Sequence, residues 1–462
     1  MSFPNEFLWG SSISAFQAEG ARLEDSRGLS VADLRSDEGR IRLDIADTSI
    51  AVDFYHKYKD DIKLMKECGL KSFRFSISWS RIFPQGNGRV NQKGVDYYND
   101  LIDELILNDI APIVTLMHFD LPQSLIEQYQ GFLSRKCISD FVDYAKFCFE
   151  QFGDRVRYWL TINEQDVLTG IPFFNGLDSK KESAQADHHM NIANALVMKL
   201  YHDMGLNGKI GPCLSYPTRY PASLDPADQF LAMHLDDLSI FSRVDILMYG
   251  EYPKYFLNDL KNKDLMFTIE EGDEELLKGA NPDFLAVNWY TSEVVGQYVD
   301  EESFGNYKGP DIPRKNRSEK GVAQYYKNPF TKYGSYEWNI DGIGLRYALR
   351  KIYSRYHLPL MITENGYSAK EEVKDGHVHD DERIEYLSNM ITNMSLAIED
   401  GVELFSYNPW SFIDILSSSQ GMDKRYGLVF VDRTNHDCKD LQRIKKESFY
   451  WYQKCIQNNG NA

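Results

Sequence analysis

Eight short apolar stretches, spread along the whole chain and separated by segments of helical periodicity, constrain this sequence more than any other feature. They are FLWGSSISAFQAEG, KSFRFSISWS, APIVTLMHF, RYWLTINE, KIGPCLSY, DFLAVNWYT, LPLMITENGY and VELFSYNPWSFID. Near-continuous apolar strands that alternate with helices belong to a parallel sheet, and a count of eight favours closing that sheet into a barrel. In AVDFYHKYKDDIKLMKECGL, Phe54, Tyr58, Ile62 and Met65 recur at helical spacing and Gly69 offers a C-terminal cap. In VDYYNDLIDELILNDI, Val95, Tyr98, Ile102 and Leu105 share one face. The pattern predicts an α/β fold, a single (β/α)8 TIM barrel domain over residues 1–462, with charged loop insertions around residues 262–280 and 298–330. No Pro/Gly/Ser linker, internal repeat or low-complexity tract divides it.

Composition narrows the class of ligand. Aromatic residues make up 13% of the chain, and 29 tyrosines with seven tryptophans exceed what a core alone needs, which suits a sugar or another amphipathic ligand. A net charge of -18 argues against nucleic acid or an anionic membrane surface as partner. No stretch approaches the ~18 apolar residues of a membrane span, and MSFPNEFLWGSSISAFQAEGA lacks the pattern of an export signal. A cytoplasmic location follows as an expectation. Cys68, Cys137, Cys148, Cys213, Cys438 and Cys455 form no CxxC pair and no zinc-like spacing, so they read as reduced, mostly core thiols.

In such a barrel the chemistry sits where strands end. The fourth stretch ends in TINEQ and the seventh in ITENG, which puts Glu164 and Glu364 on nearly opposite sides of the ring. Either alone reads equally well as a solvated loop acid. Together they suit hydrolysis of a glycosidic bond, where one carboxyl protonates the leaving group and the other stabilises or captures the positive charge. At a separation of about 5 Å the second acts as nucleophile and configuration is retained. Arg74, between Phe73 and Phe75, points inward by alternation and needs an anionic partner, for which Glu364 is the natural candidate; a purely structural ion pair is the alternative.

The stretches FLWGSSISAFQAEGA, FRFSISWSRIFPQG, TLMHFDLPQSL, FGDRVRYWLTINEQ, DFLAVNWYTS, LPLMITENG and RYGLVFVD, in this order, resemble glycoside hydrolase family 1, the retaining β-glycosidases. The resemblance covers nearly the whole chain. It implies Glu164 as general acid/base and Glu364 as nucleophile, Gln17, His118, Asn163 and Trp410 as contacts to the glycone, and Asn163 near its 2-hydroxyl. It further implies that Arg74 and Tyr290 hydrogen-bond the nucleophile, that Asn288 supports the site and that Trp338 flanks the aglycone. Core packing is the alternative for the two tryptophans. No metal or organic cofactor is implied.

Three departures from the family pattern stand out. Gln165 stands where a proline usually follows the acid/base, and Phe119 where a tryptophan often follows the histidine. The third departure lies in DILSSSQGMDKRYGLVFVD, which carries a Lys-Arg-Tyr cluster in an acidic chain. General β-glucosidases of the family have a glutamate and a tryptophan where this chain has Ser417 and Ser418. A carboxylate would repel a phosphate, whereas a serine donates to it. Ser417, Lys424 and Tyr426 resemble the phosphate-binding loop of the 6-phospho-β-glycosidases, and one ammonium with two hydroxyls suits a phosphate monoester of about -1.5 to -2 charges. The resemblance further implies a gluco over a galacto sugar, because the position of Ser418 tends to hold a tryptophan in the family's phospho-galactosidases and a small residue in its phospho-glucosidases.

The resemblance implies retaining hydrolysis of 6-phospho-β-D-glucosides, cellobiose-like or aryl, to glucose 6-phosphate and an aglycone. The partner is then a small phosphorylated β-glucoside, made during uptake by a sugar phosphotransferase system; the oligomeric state stays open. A 6-phospho-β-galactosidase, or an enzyme taking both sugars, is the near alternative, and a sugar-binding barrel without catalysis the remote one.

Overall fold

The structure is a computed structural model that describes residues 3–170, 179–298, 317–319, 321–336 and 338–461. Eight strands close into a barrel: β1 (Leu8–Ser12), β2 (Ser72–Ser76), β3 (Ala111–Met117), β4 (Tyr158–Asn163), β5 (Lys209–Ser215), β6 (Leu285–Asn288), β7 (Leu360–Asn365) and β8 (Leu404–Pro409). Each pairs in parallel with its neighbours in sequence, and β8 returns to β1. Helices cover the outside, among them Phe54–Cys68, Gln92–Leu107, Lys136–Phe152, Lys180–Asp203, Gly342–Tyr356, Asp381–Glu399 and Glu447–Gln457.

The two helices read from periodicity occur as expected. Phe54, Tyr58, Ile62 and Met65 are buried on the first, which ends at Gly69 with a φ of 87° in the left-handed region that glycine tolerates. Val95, Tyr98, Ile102 and Leu105 are buried on the second. On β2 the alternation is equally direct. Phe73 meets Phe54 of the helix layer, ring centres 6.2 Å apart, while Arg74 pairs in register with Ile113 and turns into the barrel with it. Ile113, Leu160, Cys213, Phe284, Ala286 and Met361 fill the barrel as a compact apolar floor. These residues precede Glu164 and Glu364 along the strands, so the floor lies beneath the site and excludes water from that side.

The two expected insertions carry more structure than a charged loop. Residues 262–280 include the helix Asp273–Leu277, whose Asp273 is buried and takes Arg135 and His188 as partners. Past β6, Ser292–Gly296 pairs in parallel with Thr218–Pro221 and antiparallel with Ala323–Tyr326, which pairs in turn with Arg317–Glu319. Val295, Ala323, Tyr325 and Ala232 give this small sheet its own apolar core. Residues 299–316 and 320, also within the expected insertion, lie outside the described residues.

Among the described residues no helix is long and apolar enough to cross a membrane. No group of acidic, cysteine and histidine side chains there could hold a metal ion. All six cysteines are unpaired, five of them buried and Cys438 half-buried.

Candidate active site

Glu164 is the first residue past β4, and its backbone sits at a φ of 45°, a left-handed conformation that costs a non-glycine residue on the order of 1 kcal/mol. Its N–H donates to the Cys213 carbonyl at 2.9 Å, which ties the turn to β5 and aims the side chain into the barrel mouth. Glu364 lies near the end of β7. Both carboxyls are buried, and the neighbours distribute charge unequally between them.

Glu364 receives the cationic side of the site. Arg74 Nη1 donates to its Oε1 at 2.5 Å and the Tyr290 hydroxyl to its Oε2 at 2.7 Å. Arg74 is fully buried and fixed by two further bonds, Nε to Thr115 Oγ1 at 2.8 Å and Nη2 to Asn163 Oδ1 at 2.7 Å. Burial leaves the Glu364 carboxyl above its ordinary value, with the Arg74 charge and the Tyr290 hydroxyl pulling against the rise. Among the described residues Glu164 has a single neutral donor, Asn288 Nδ2 at 2.8 Å. Burial first, and then the negative charge of Glu364, hold Glu164 well above the ordinary carboxylate range. Two carboxyls with such different neighbours can divide into a proton donor, Glu164, and an anion, Glu364.

Asn163 and His118 connect the pair to the sugar side. Because Asn163 Oδ1 accepts from Arg74, its Nδ2 must be the group that meets His118 Nε2 at 3.3 Å. Nε2 therefore accepts, and the ring proton sits on Nδ1. Burial and the Arg74 charge push His118 well below its ordinary value, so the ring is neutral. Its buried Nδ1 has no hydrogen-bond partner among the described residues. Trp410 stacks on His118 with ring centres 5.7 Å apart, and the half-buried Phe119 meets it edge-on at 5.1 Å. Gln17 accepts from Ser14 at 2.7 Å and donates to the Leu416 carbonyl at 2.8 Å, at the start of the serine-rich loop.

Gln165, the departure next to the acid, is the centre of a buried network. Its Nε2 donates to Asp187 Oδ1 at 2.7 Å and Asn191 Oδ1 at 2.8 Å, and its Oε1 accepts from Asn194 Nδ2 at 2.6 Å. Asp187 is paired with Arg243, which also donates to Thr169. A side-chain amide here anchors the residues after Glu164 to the helix Lys180–Asp203.

The loop after β8 sorts the Lys-Arg-Tyr cluster in two directions. Arg425 turns inward, donating to Asp414 at 2.8 Å and to the carbonyls of Val431 and Arg433 at 2.9 and 2.6 Å. Burial alone would raise Asp414, but Lys446 and Arg425 hold its carboxylate below the ordinary value. Arg425 is thus a structural clamp. Lys424 goes the other way, buried, with its Nζ 4.1 Å from the Trp338 ring centre, 5.2 Å from that of Tyr336 and 5.4 Å from that of Tyr426. It has no carboxylate partner among the described residues, and burial lowers it to about 7.

Ser417 exchanges two backbone bonds with Gly421, both at 3.0 Å, and its hydroxyl lies 3.4 Å from Ser419 Oγ. Ser418 is exposed; with Ser417, Phe16 and Arg35 it lines a cavity of about 30 Å³. Trp338, half-buried, stands on Tyr290 with ring centres 4.6 Å apart, so its ring lies between the Tyr290 hydroxyl that donates to Glu364 and the loop lysine. Tyr336 was not legible as a site residue, because tyrosine two positions before a tryptophan carries no recognisable signal.

Comparison with known proteins places the chain in a family. Residues 1–461 match the sequence profile of Glycosyl hydrolase family 1. The Bacillus subtilis (strain 168) protein "Aryl-phospho-beta-D-glucosidase BglC" is 41% identical over 100% of this chain and 98% of its own length. The Escherichia coli (strain K12) protein "6-phospho-beta-glucosidase AscB" is 37% identical over 99% of this chain and 98% of its own. Among solved structures, "Family 1 b-glucosidase from Thermotoga maritima" superposes with a TM-score of 0.87 at 31% identity, covering 100% of this chain and 99% of that one.

Proposed function

We propose that this chain, which belongs to glycosyl hydrolase family 1, is a retaining 6-phospho-β-glucosidase that releases glucose 6-phosphate from phosphorylated aryl or cellobiose-like β-glucosides. The observation that carries the reading is Lys424, a buried ammonium with no carboxylate beside it among the described residues, on the loop of Ser417 and Tyr426. A buried cation without an anion is costly unless a ligand supplies one. A phosphate supplies it and gains charge-assisted bonds in return. The printed names of two relatives, an aryl-phospho-β-glucosidase and a 6-phospho-β-glucosidase, support the same substrate class.

The chemistry follows from the unequal pair. A Glu364 carboxylate oxygen attacks the anomeric carbon as the C–O bond to the aglycone breaks, and Glu164 gives its proton to the departing oxygen. Arg74 and Tyr290 keep Glu364 ionised and aligned while positive charge grows on the ring. Glu164, now a carboxylate, takes a proton from water, which attacks the anomeric carbon and frees Glu364. By the family match His118 serves a glycone hydroxyl and Asn163 the 2-hydroxyl, and Trp410 offers a face to the ring's C–H groups. The reaction needs no metal or organic cofactor. Phosphorylated sugars do not cross a membrane unaided, so the work belongs in the cytoplasm, where uptake coupled to phosphorylation delivers them.

Three p-nitrophenyl substrates test the reading: the β-glucoside, its 6-phosphate, and the galacto 6-phosphate. The expected order of kcat/KM places the gluco 6-phosphate first and the plain glucoside last. Equal constants for plain and phosphorylated glucosides would overturn it, and a preference for the galacto 6-phosphate would reassign the sugar.

A further inference from the structure

We propose that Tyr336 and Trp338 form, with Tyr426, an aromatic cage that holds the Lys424 ammonium ready for the substrate's phosphate, which makes Tyr336 a positioning residue for phosphate recognition. The proposal rests on the phospho-glucosidase reading above. All three ring centres lie within 5.4 Å of Lys424 Nζ, with Trp338 nearest at 4.1 Å. The rings come from two places in the chain, Tyr336 and Trp338 from the segment leading into the helix Gly342–Tyr356 and Tyr426 from the lysine's own loop.

The choice of rings over a carboxylate has a chemical reason. A paired Asp or Glu would satisfy the ammonium but would also neutralise it and repel the incoming dianion. Aromatic faces attract the cation through their quadrupoles while occupying none of its N–H donors with a competing anion. The phosphate then meets a cation already stripped of water, where charge-assisted hydrogen bonds are strongest.

Tyr336 does two things for this arrangement. Its ring is buried and faces Nζ, and its hydroxyl donates to the Asp423 carbonyl at 3.0 Å, which fixes the peptide just before the lysine. Trp338 shares its ring with Tyr290, the hydroxyl donor to the nucleophile. The phosphate and catalytic halves of the pocket thus have one indole as their common wall. Because Trp338 touches both halves, Tyr336 is the residue whose change isolates the cage.

The experiment measures kcat/KM for p-nitrophenyl β-glucoside 6-phosphate and for the plain glucoside, and reads the ratio of the two. Wild type, Tyr336→Leu, Tyr336→Phe, Lys424→Met and the double variant Lys424→Met/Tyr336→Leu are compared, each with a melting curve. Losing one desolvated cation–π contact should lower the ratio roughly 5- to 30-fold in Tyr336→Leu, while Tyr336→Phe, which keeps the ring, stays within about 2- to 3-fold of wild type. In the Lys424→Met background the leucine should leave the ratio unmoved. An unchanged ratio in Tyr336→Leu, or an equal fall with and without Lys424, overturns the cage. If Tyr336→Leu does not fold, pentafluorophenylalanine at position 336 keeps the shape, reverses the quadrupole and is read in the same way. A wild-type ratio near one condemns the phosphate reading itself; a high wild-type ratio that the variants do not move condemns only the cage.

Discussion

The floor of the pocket and its rim handle buried charge in opposite ways. At the floor, Arg74, Glu364, Tyr290, Asn163, Asn288 and Glu164 form one connected set of hydrogen bonds carried by or next to barrel strands. At the rim, Lys424 sits among rings on a loop, with its charge unmatched by any carboxylate among the described residues. The floor's polar groups satisfy one another, whereas the rim leaves a cation for which the proposed phosphate is the partner. On that reading, reaction geometry is built into the barrel strands, and substrate selection into a loop, the part that varies most easily.

Removing the floor's anion should break this division most severely. Glu364→Gln is expected to lower kcat by about four orders of magnitude or more for phosphorylated and plain substrates alike, as with other covalent nucleophiles. Steady-state rates on both p-nitrophenyl substrates check it, and near-normal turnover would reject the assignment. Glu164→Gln should cost about 10²- to 10⁴-fold with poor leaving groups and far less with p-nitrophenol, the range of general acid catalysis. Azide should restore activity and yield a β-glycosyl azide; an α-azide would contradict retention.

Rim changes should act on selection instead. Lys424→Met should lower the phosphorylated-to-plain ratio of kcat/KM by roughly 10- to 150-fold, the equivalent of about 1.5–3 kcal/mol for one hydrogen bond to a charged group. A uniform loss on both substrates would mean that Lys424 supports the floor.

pH sharpens the same contrast. The Lys424 ammonium exists below its lowered value of about 7 and is lost above it, while the substrate phosphate gains its second charge above about 6. kcat/KM reports the free enzyme, so the ratio of phosphorylated to plain substrate should peak between these values and fall as pH rises through 7. The raised Glu164 imposes a basic limb on both substrates, and in the ratio it cancels. A ratio that keeps rising to pH 9 would exclude the lysine.

The smallest effect concerns the sugar. Ser418→Trp should narrow or reverse the preference for gluco over galacto 6-phosphate, measured as the ratio of their specificity constants. A single exposed position is worth only about 1–3 kcal/mol in such discrimination. No change in that ratio would place the control of the 4-hydroxyl elsewhere.

The barrel and the glutamate pair were legible because both obey short-range rules. Strand alternation turned Arg74 inward between two phenylalanines, and the glutamates ended apolar runs where barrel chemistry resides. The cage was not legible, because Tyr336 and Trp338 meet Lys424 only after the chain has passed through the seventh and eighth strands. Nor did sequence separate Lys424 from Arg425: the two follow a turn and face different ways, and only the position of Asp414 tells which one is the clamp. The sheet formed by Ser292–Gly296 and Ala323–Tyr326 escaped for a similar reason, since its short strands pair across a long intervening stretch.

Gln165 carries a consequence for how such chains diverge. Its amide gives and receives bonds with Asp187, Asn191 and Asn194, so each of those three side chains is shaped around a partner that proline lacks. Exchanging Gln165 for proline alone would orphan an acceptor on Asn191 and a donor on Asn194, and would leave Asp187 Oδ1 with Arg243 Nε, at 3.1 Å, in place of two donors. The four positions consequently form an inheritance unit: among relatives, residues aligned with 187, 191 and 194 should switch in step with the one at 165. Ancestral reconstructions that mix the two sets should fold less stably than either parent.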